Sequence, residues 1–173
     1  MKAKSAGKAV VVSVVMGSDS DLPVMEEATK ILDEFGVGCE RILTSAHRAP
    51  ERTAKFSKAA AGRGIKIIIA GAGAAAHLAG VIASQTLLPV IGVPINATSI
   101  NGLDALLSTV QMPGGIPVAT MAIGKAGAKN AALFAVRMLA LDDKTLEKKL
   151  RDYIRKMAKD VEKKQENLTC RKS

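Results

Sequence analysis

Short runs of β-branched residues alternate with amphipathic stretches along most of the chain. AVVVSVVM (residues 9–16) has the length and composition of a buried strand. LPVMEEATKILDEFG (22–36) follows at helical spacing, with Pro23 in its first turn and Gly36 at its end. The same alternation predicts strands in CERILTS (39–45), IKIIIAGAG (65–73), LPVIGVP (88–94) and IPVATMAI (116–123). Between and after them, helices are expected in PERTAKFSKAAAGRG (50–64), AAAHLAGVIASQT (74–86), NGLDALLSTVQM (101–112) and AGAKNAALFAVRMLA (126–140).

Five strands, each with a crossover helix, imply an α/β three-layer sandwich: a five-stranded parallel sheet with helices on both faces. A doubly wound, flavodoxin-like strand order is the expected topology. In such sheets ligands bind beyond the carboxyl ends of the strands, at the switch point. That edge carries MGSDSD (16–21), TSAHRAP (44–50) and GAGAAAH (71–77).

Beyond Asp143 the pattern changes. Leu146, Leu150, Tyr153, Ile154, Met157 and Val161 form one apolar stripe on an otherwise charged stretch, which predicts an extended C-terminal helix over 142–168 and a short basic tail, 169–173. Such a helix is not stable alone in water and must dock, on its own domain or on another subunit. The 173 residues read as a single domain, with the α/β body at 9–141.

Composition changes this picture in one respect. The formal charge of +9 raises nucleic acid as a partner. The charge, however, sits at the ends: Lys2, Lys4 and Lys8 at one, and eleven Lys/Arg against five Asp/Glu from Lys144 onward at the other. Residues 9–143 carry eleven charges of each sign. With no Trp, one Tyr and three Phe, a neutral body of this kind is not a nucleic-acid reader. Cys39 and Cys170 form no C-x-x-C unit, so neither a disulfide framework nor a zinc site is expected. The lysines ahead of residues 9–16 resemble a signal peptide, but the apolar run is short and ends in a Gly-Ser-Asp turn. No stretch has the ~18 apolar residues of a membrane span, and a cytoplasmic protein is expected.

Three segments carry candidate chemistry. Gly71-x-Gly73-x-x-Ala76 fits the loose dinucleotide fingerprint, but no Asp or Glu lies between Glu51 and Asp104 to hold a ribose, so NAD and FAD are set aside. The glycines there point to close approach of backbone to a ligand, to a neighbouring chain, or to tight packing within the fold. MGSDSD opens a helix, whose free N–H groups suit a phosphate, with Ser18 and Ser20 adding hydroxyls. Asp21 fits either an N-cap or an acceptor for ribose hydroxyls. In SAHRAP, Pro50 marks the start of the next helix, so Ser45, His47 and Arg48 lie in the loop at the binding edge. One loop thus offers an acid/base imidazole and a guanidinium suited to bidentate phosphate binding, the layout of an enzyme that moves protons on a phosphorylated substrate without a metal. His77 reads as a half-buried structural imidazole, with Gly73 and His77 both candidates for a supporting role behind these groups.

The blocks MGSDSD, SAHR.P, IIAGAG.AAHL.G, LPVIGVP and GLDALLS.VQMPGG.PVAT.AIGKAGA.NAAL, in this order from about residue 10 to 141, resemble the N5-carboxyaminoimidazole ribonucleotide mutases, the class I phosphoribosylaminoimidazole carboxylase catalytic subunits of purine biosynthesis. The resemblance implies a flavodoxin-like fold, a homo-octamer, no cofactor, and movement of a carboxylate from the exocyclic nitrogen to ring carbon C4. It implies that His47 is the general acid/base and that Ser18, Ser20, Asp21, Ser45 and Arg48 surround the phosphoribosyl group. An ATP-dependent carboxyaminoimidazole ribonucleotide synthetase is then the expected functional partner. Three positions depart from the family's usual SAHRTP and GAGGAAHLPG: Ala49, Ala74 and Ala79 stand for Thr, Gly and Pro. The readings left beside it are a class II enzyme, which carboxylates the aminoimidazole ribonucleotide with CO2, and a non-catalytic nucleotide-binding module.

Overall fold

The computed structural model describes residues 9–169. Its elements run β1 (Val10–Met16), α1 (Leu22–Phe35), β2 (Gly38–Leu43), α2 (Pro50–Ala60), β3 (Ile67–Gly73), α3 (Leu78–Ala83), β4 (Val90–Ile95), α4 (Leu103–Val110), β5 (Ala119–Thr120), α5 (Lys125–Leu139) and α6 (Lys144–Thr169). Single 3-10 turns lead into α1 at Asp19–Asp21 and follow α2 at Ala61–Arg63. The strands form one sheet in the order β2-β1-β3-β4-β5, all parallel, which is the flavodoxin-like order.

Right-handed crossovers then dictate which face each helix covers. The step from β1 to β2 runs one way along the sheet and the later steps run the other way, so α1 covers one face while α2, α3 and α4 cover the opposite face. Side chains agree with this division. Met25 of α1 lies against Gly71 on the first face, where a Cβ on Gly71 would collide with its sulfur. Lys129 of α5 pairs with Glu27 of α1 at 3.2 Å. On the other face Ile68 and Ala70 of β3 pack with Ala60, Leu78, Ala79 and Ile82. Strands this deeply covered on both sides read as unbroken apolar runs, and Val12, Val14, Val15, Ile68 and Ile69 are fully buried. Ser13, the polar exception in β1, donates to Glu40 Oε1 at 2.6 Å, and Arg63 grips the same carboxylate with both terminal nitrogens at 2.7 and 2.9 Å.

Two elements are shorter than their sequence patterns. β5 pairs only Ala119 and Thr120, with Ile91 and Gly92, because it is an edge strand and Pro117 has no N–H to donate. α3 begins at Leu78 instead of Ala74, since Ala74 adopts a left-handed backbone (φ 54°) and the N–H groups of Ala76 and His77 bond back only two residues, to Ala74 and Ala75.

The chain divides into two compact units, one ending at Ala135 and the other beginning at Val136. The second consists of the end of α5 and the 26-residue α6. Asp143 caps α6, its Oδ1 accepting from the N–H groups of Thr145 (2.8 Å) and Leu146 (3.1 Å). The stripe is uneven: Leu146 and Leu150 are buried, whereas Ile154, Met157, Val161 and Leu168 are 45–66% exposed. Cys170 and the basic tail, like Lys2, Lys4 and Lys8, lie outside the described residues.

Candidate active site

The strand order places β1 between β2 and β3, so the loops after these three strands meet at one edge. The β1 loop is organised by a reciprocal cap. Ser18 Oγ accepts from the Ser20 N–H (3.4 Å), and the Ser18 N–H donates to Asp21 Oδ2 (3.0 Å). The cap is thus made by Ser18 and Asp21, two of the residues expected from the sequence to meet a ligand. Ser20 Oγ donates to Ser18 Oγ at 2.9 Å, which sets two hydroxyls side by side at the mouth. Asp21 is buried, and burial, aided by the neighbouring Asp19 charge, raises its carboxyl above the usual aspartate range against the opposing N–H groups of Ser18 and Gly17.

The β2 loop is fixed at its base by buried hydroxyls. Thr44 and Thr53 are hydrogen-bonded at 2.9 Å, which ties the end of β2 to the first turn of α2. Ser45 Oγ accepts from the Arg48 N–H at 3.2 Å, turning the chain so that His47 and Arg48 are exposed at the edge. Among the described residues, no carboxylate forms an ion pair with Arg48.

His77 is exposed at the start of α3, not half-buried, and its partner is the other histidine. His47 Nε2 and His77 Nδ1 lie 2.8 Å apart, with the rings edge to face at 4.9 Å between centroids. Gly73, at the end of β3, packs closely against the chain that follows β4. A Cβ there would lie 2.5 Å from the Ala97 Cβ, so the glycine is required by packing within the fold while the same backbone lines the site.

A cavity of about 330 Å³ results, with Ser18, Ser20, Asp21, Ser45, His47 and Arg48 on its polar side. All six predicted contact residues thus line one cavity, Gly73 lines it too, and His77 adjoins it through His47. The rest of the lining is mostly small and apolar, including Ala72, Ala74, Leu78 and Ala97. Ala97 carried no signal in the sequence, being a lone alanine after β4. A second, more open cavity of about 390 Å³ adjoins the first, sharing Gly17, Ser18, Ser45 and Arg48 and adding Asp19, Thr44 and Arg52. Among the described residues no group of three His, Cys, Asp or Glu side chains is arranged to hold a metal ion.

The AIR carboxylase family profile matches residues 11–160, which include every residue of this site. The chain belongs to the AIR carboxylase family. An N5-carboxyaminoimidazole ribonucleotide mutase from Pyrococcus horikoshii is 59% identical over 157 residues, 91% of this chain and 88% of that protein. The mutase of that name from Thermotoga maritima is 51% identical over the same length, covering 91% of each. The chain also matches 150 residues of the phosphoribosylaminoimidazole carboxylase of Saccharomyces cerevisiae at 50% identity, but covers only 26% of that longer family member. In three dimensions, Treponema denticola PurE superposes with a TM-score of 0.83 at 29% identity, covering 91% of this chain and 98% of that one.

Proposed function

We propose that this chain is an isomerase of purine biosynthesis that converts N5-carboxyaminoimidazole ribonucleotide to 4-carboxy-5-aminoimidazole ribonucleotide, using His47 as the acid/base. The observation that carries the reading is one cavity in which His47, hydrogen-bonded to His77 behind it, stands beside an unpaired guanidinium and three serine hydroxyls, in a chain 51–59% identical to proteins of that activity.

Arg48 holds the phosphate as a charge-assisted fork, with Ser18, Ser20 and Ser45 supplying hydroxyls and Asp21 accepting from the ribose. Protonated His47 gives its proton to the exocyclic nitrogen as the N–CO2 bond breaks, releasing CO2 and the neutral aminoimidazole. The electron-rich C4 then attacks CO2 and forms the new C–C bond. The now neutral His47 takes the C4 proton, which restores the aromatic ring and returns the imidazolium, so one group serves both steps. The apolar alanine side of the cavity suits CO2 between the two steps, and holding it beside C4 replaces a bimolecular encounter with a local one. Neither step consumes a cofactor. Since the carbamate is the substrate, an ATP-dependent synthetase must supply it.

The reading includes a homo-octamer in the cytoplasm. The octamer follows from the family resemblance, and the exposed half of the α6 stripe supports association. No helix among the described residues is long and apolar enough to cross a membrane.

The deciding assay offers the purified chain each of two substrates without ATP: the carbamate, and the aminoimidazole ribonucleotide with CO2. Efficient turnover of the carbamate with conserved carboxyl carbon is the expected result. Turnover of only the CO2 pair means the class II reaction, and no turnover of either means a binding module.

A further inference from the structure

The charges of the two adjoining cavities are unequal. The inner one holds Arg48 and Asp21, which cancel when Asp21 is ionised, together with His47. The outer one holds Arg48 and Arg52 against the single carboxylate of Asp19. Asp19 is already engaged locally, its Oδ1 accepting from the Ser20 N–H at 3.0 Å and from Ser18 Oγ at 3.1 Å. Arg52 is exposed, and among the described residues neither it nor Arg48 forms an ion pair, whereas Arg41 and Arg63 each do. Arg52 follows Arg48 by four positions at the first turn of α2, whose free N–H end also favours an anion. Leaving two guanidiniums unpaired at a shared cavity wall is what a dianionic ligand requires: a phosphate monoester carries about −1.5 to −2 at pH 7, more than one arginine neutralises.

We infer that Arg52 is a second phosphate-binding residue, forming with Arg48 a two-guanidinium clamp in the outer cavity, so that the substrate's phosphate seats there while its ring lies against His47 in the inner cavity. The inference rests on the ribonucleotide substrate proposed above. It assigns Arg52 to binding and not to the proton transfers, because Arg52 lines only the cavity that His47 does not.

The test compares the full-length wild type with Arg52→Ala and Arg52→Lys. Four quantities are measured: kcat and KM for the carbamate ribonucleotide, inhibition by 5-aminoimidazole-4-carboxamide riboside 5′-phosphate, and inhibition by inorganic phosphate. Wild-type turnover first checks the substrate reading on its own. Given turnover, Arg52→Ala is expected to raise KM and both inhibition constants by about tenfold or more, with kcat within about twofold, the size of a lost hydrogen bond to a charged group. Arg52→Lys is expected to recover part of the loss. An Arg52→Ala enzyme with unchanged KM overturns the clamp. So does one whose kcat falls while inhibition by inorganic phosphate stays at the wild-type value, since that pattern marks distortion of the loop and not loss of an anion contact.

Discussion

His47 Nε2 and His77 Nδ1 share a single hydrogen bond of 2.8 Å, although thirty residues separate them in sequence. One proton lies between the two nitrogens, so whichever ring donates, Nε2 of His47 is committed to its neighbour when the site is free of substrate. The bond also fixes the direction in which the His47 ring faces the cavity.

The two histidines therefore differ in what their loss does. His47→Asn is expected to lower kcat by about 10²–10⁴-fold, the usual range for a general acid/base, while the ribonucleotide still binds through Arg48 and the serines. His77→Ala leaves the acid/base present but unaligned, and a smaller loss in kcat with little change in KM is expected. Steady-state kinetics beside ligand binding by calorimetry separate the two. A His47→Asn enzyme within a few-fold of wild-type turnover removes this imidazole from the reaction.

That pairing was out of reach of the sequence, for a topological reason. Strand β1 lies between β2 and β3, so two loops that are not neighbours in the sheet meet above a third. The alternation of strands and helices, and the edge on which Ser18, His47 and Gly73 lie, follow from hydrophobic period and crossover handedness alone. Residues 74–77 misled because alanine is the strongest helix former, whereas here Ala74 turns left-handed to close the loop. The eight-residue pattern at 116–123 misled because apolar character says nothing about whether an edge has a partner for its N–H groups.

Asp21 makes the acid side of the substrate profile informative. Burial holds its carboxyl above the ordinary value, so as pH falls the proton arrives earlier than on an exposed aspartate and removes the acceptor proposed above for the ribose. KM is expected to rise on the acid side, and Asp21→Asn to flatten that rise while weakening binding at neutral pH. The effect on folding has the opposite sign. With the folded pKa raised, this group's contribution is full below the unfolded pKa and is lost as pH rises through the folded one. Glu40, lowered by the Arg63 fork, behaves conversely: its contribution is present above the unfolded pKa and is lost as pH falls through the folded one. Denaturant midpoints across pH for Asp21→Asn and Glu40→Gln, each against wild type, should diverge in these two directions.

Ala74 is a place where the chain holds a strained residue at its site. A left-handed conformation costs a residue with a Cβ roughly 1–2 kcal/mol, and glycine returns about 0.4–1 kcal/mol of that through the freedom of the unfolded chain. Ala74→Gly, the residue usual in the family, should therefore leave stability unchanged or raise it by up to about 1 kcal/mol, a shift of roughly 2–4 °C per kcal/mol for a chain of this size. Ala74→Val should lower it, because a β-branched side chain is worse still at this φ. Thermal melts of the three proteins decide the point, and a clear fall in Tm for Ala74→Gly contradicts strain at this position.

The exposed part of α6 sets the last expectation. Leu146 and Leu150 are buried, while Ile154, Met157, Val161 and Leu168 continue the same stripe in the open, at spacings of three, four and seven residues. Covering the half of each side chain that is still exposed contributes about 1 kcal/mol, so four of them together form a drive to associate, and lysines on the other face of the helix keep that drive directional. The intact chain is expected to sediment at micromolar concentration as a species several times its 18.0 kDa. Met157→Glu with Val161→Glu places two charges in the stripe without shortening the helix, and should shift the protein toward smaller species. Truncation after Asp143 should do the same or reduce solubility, depending on how much of the stripe's partner surface is left uncovered. An 18.0 kDa monomer that turns over substrate at the full rate is incompatible with the association role given to this helix.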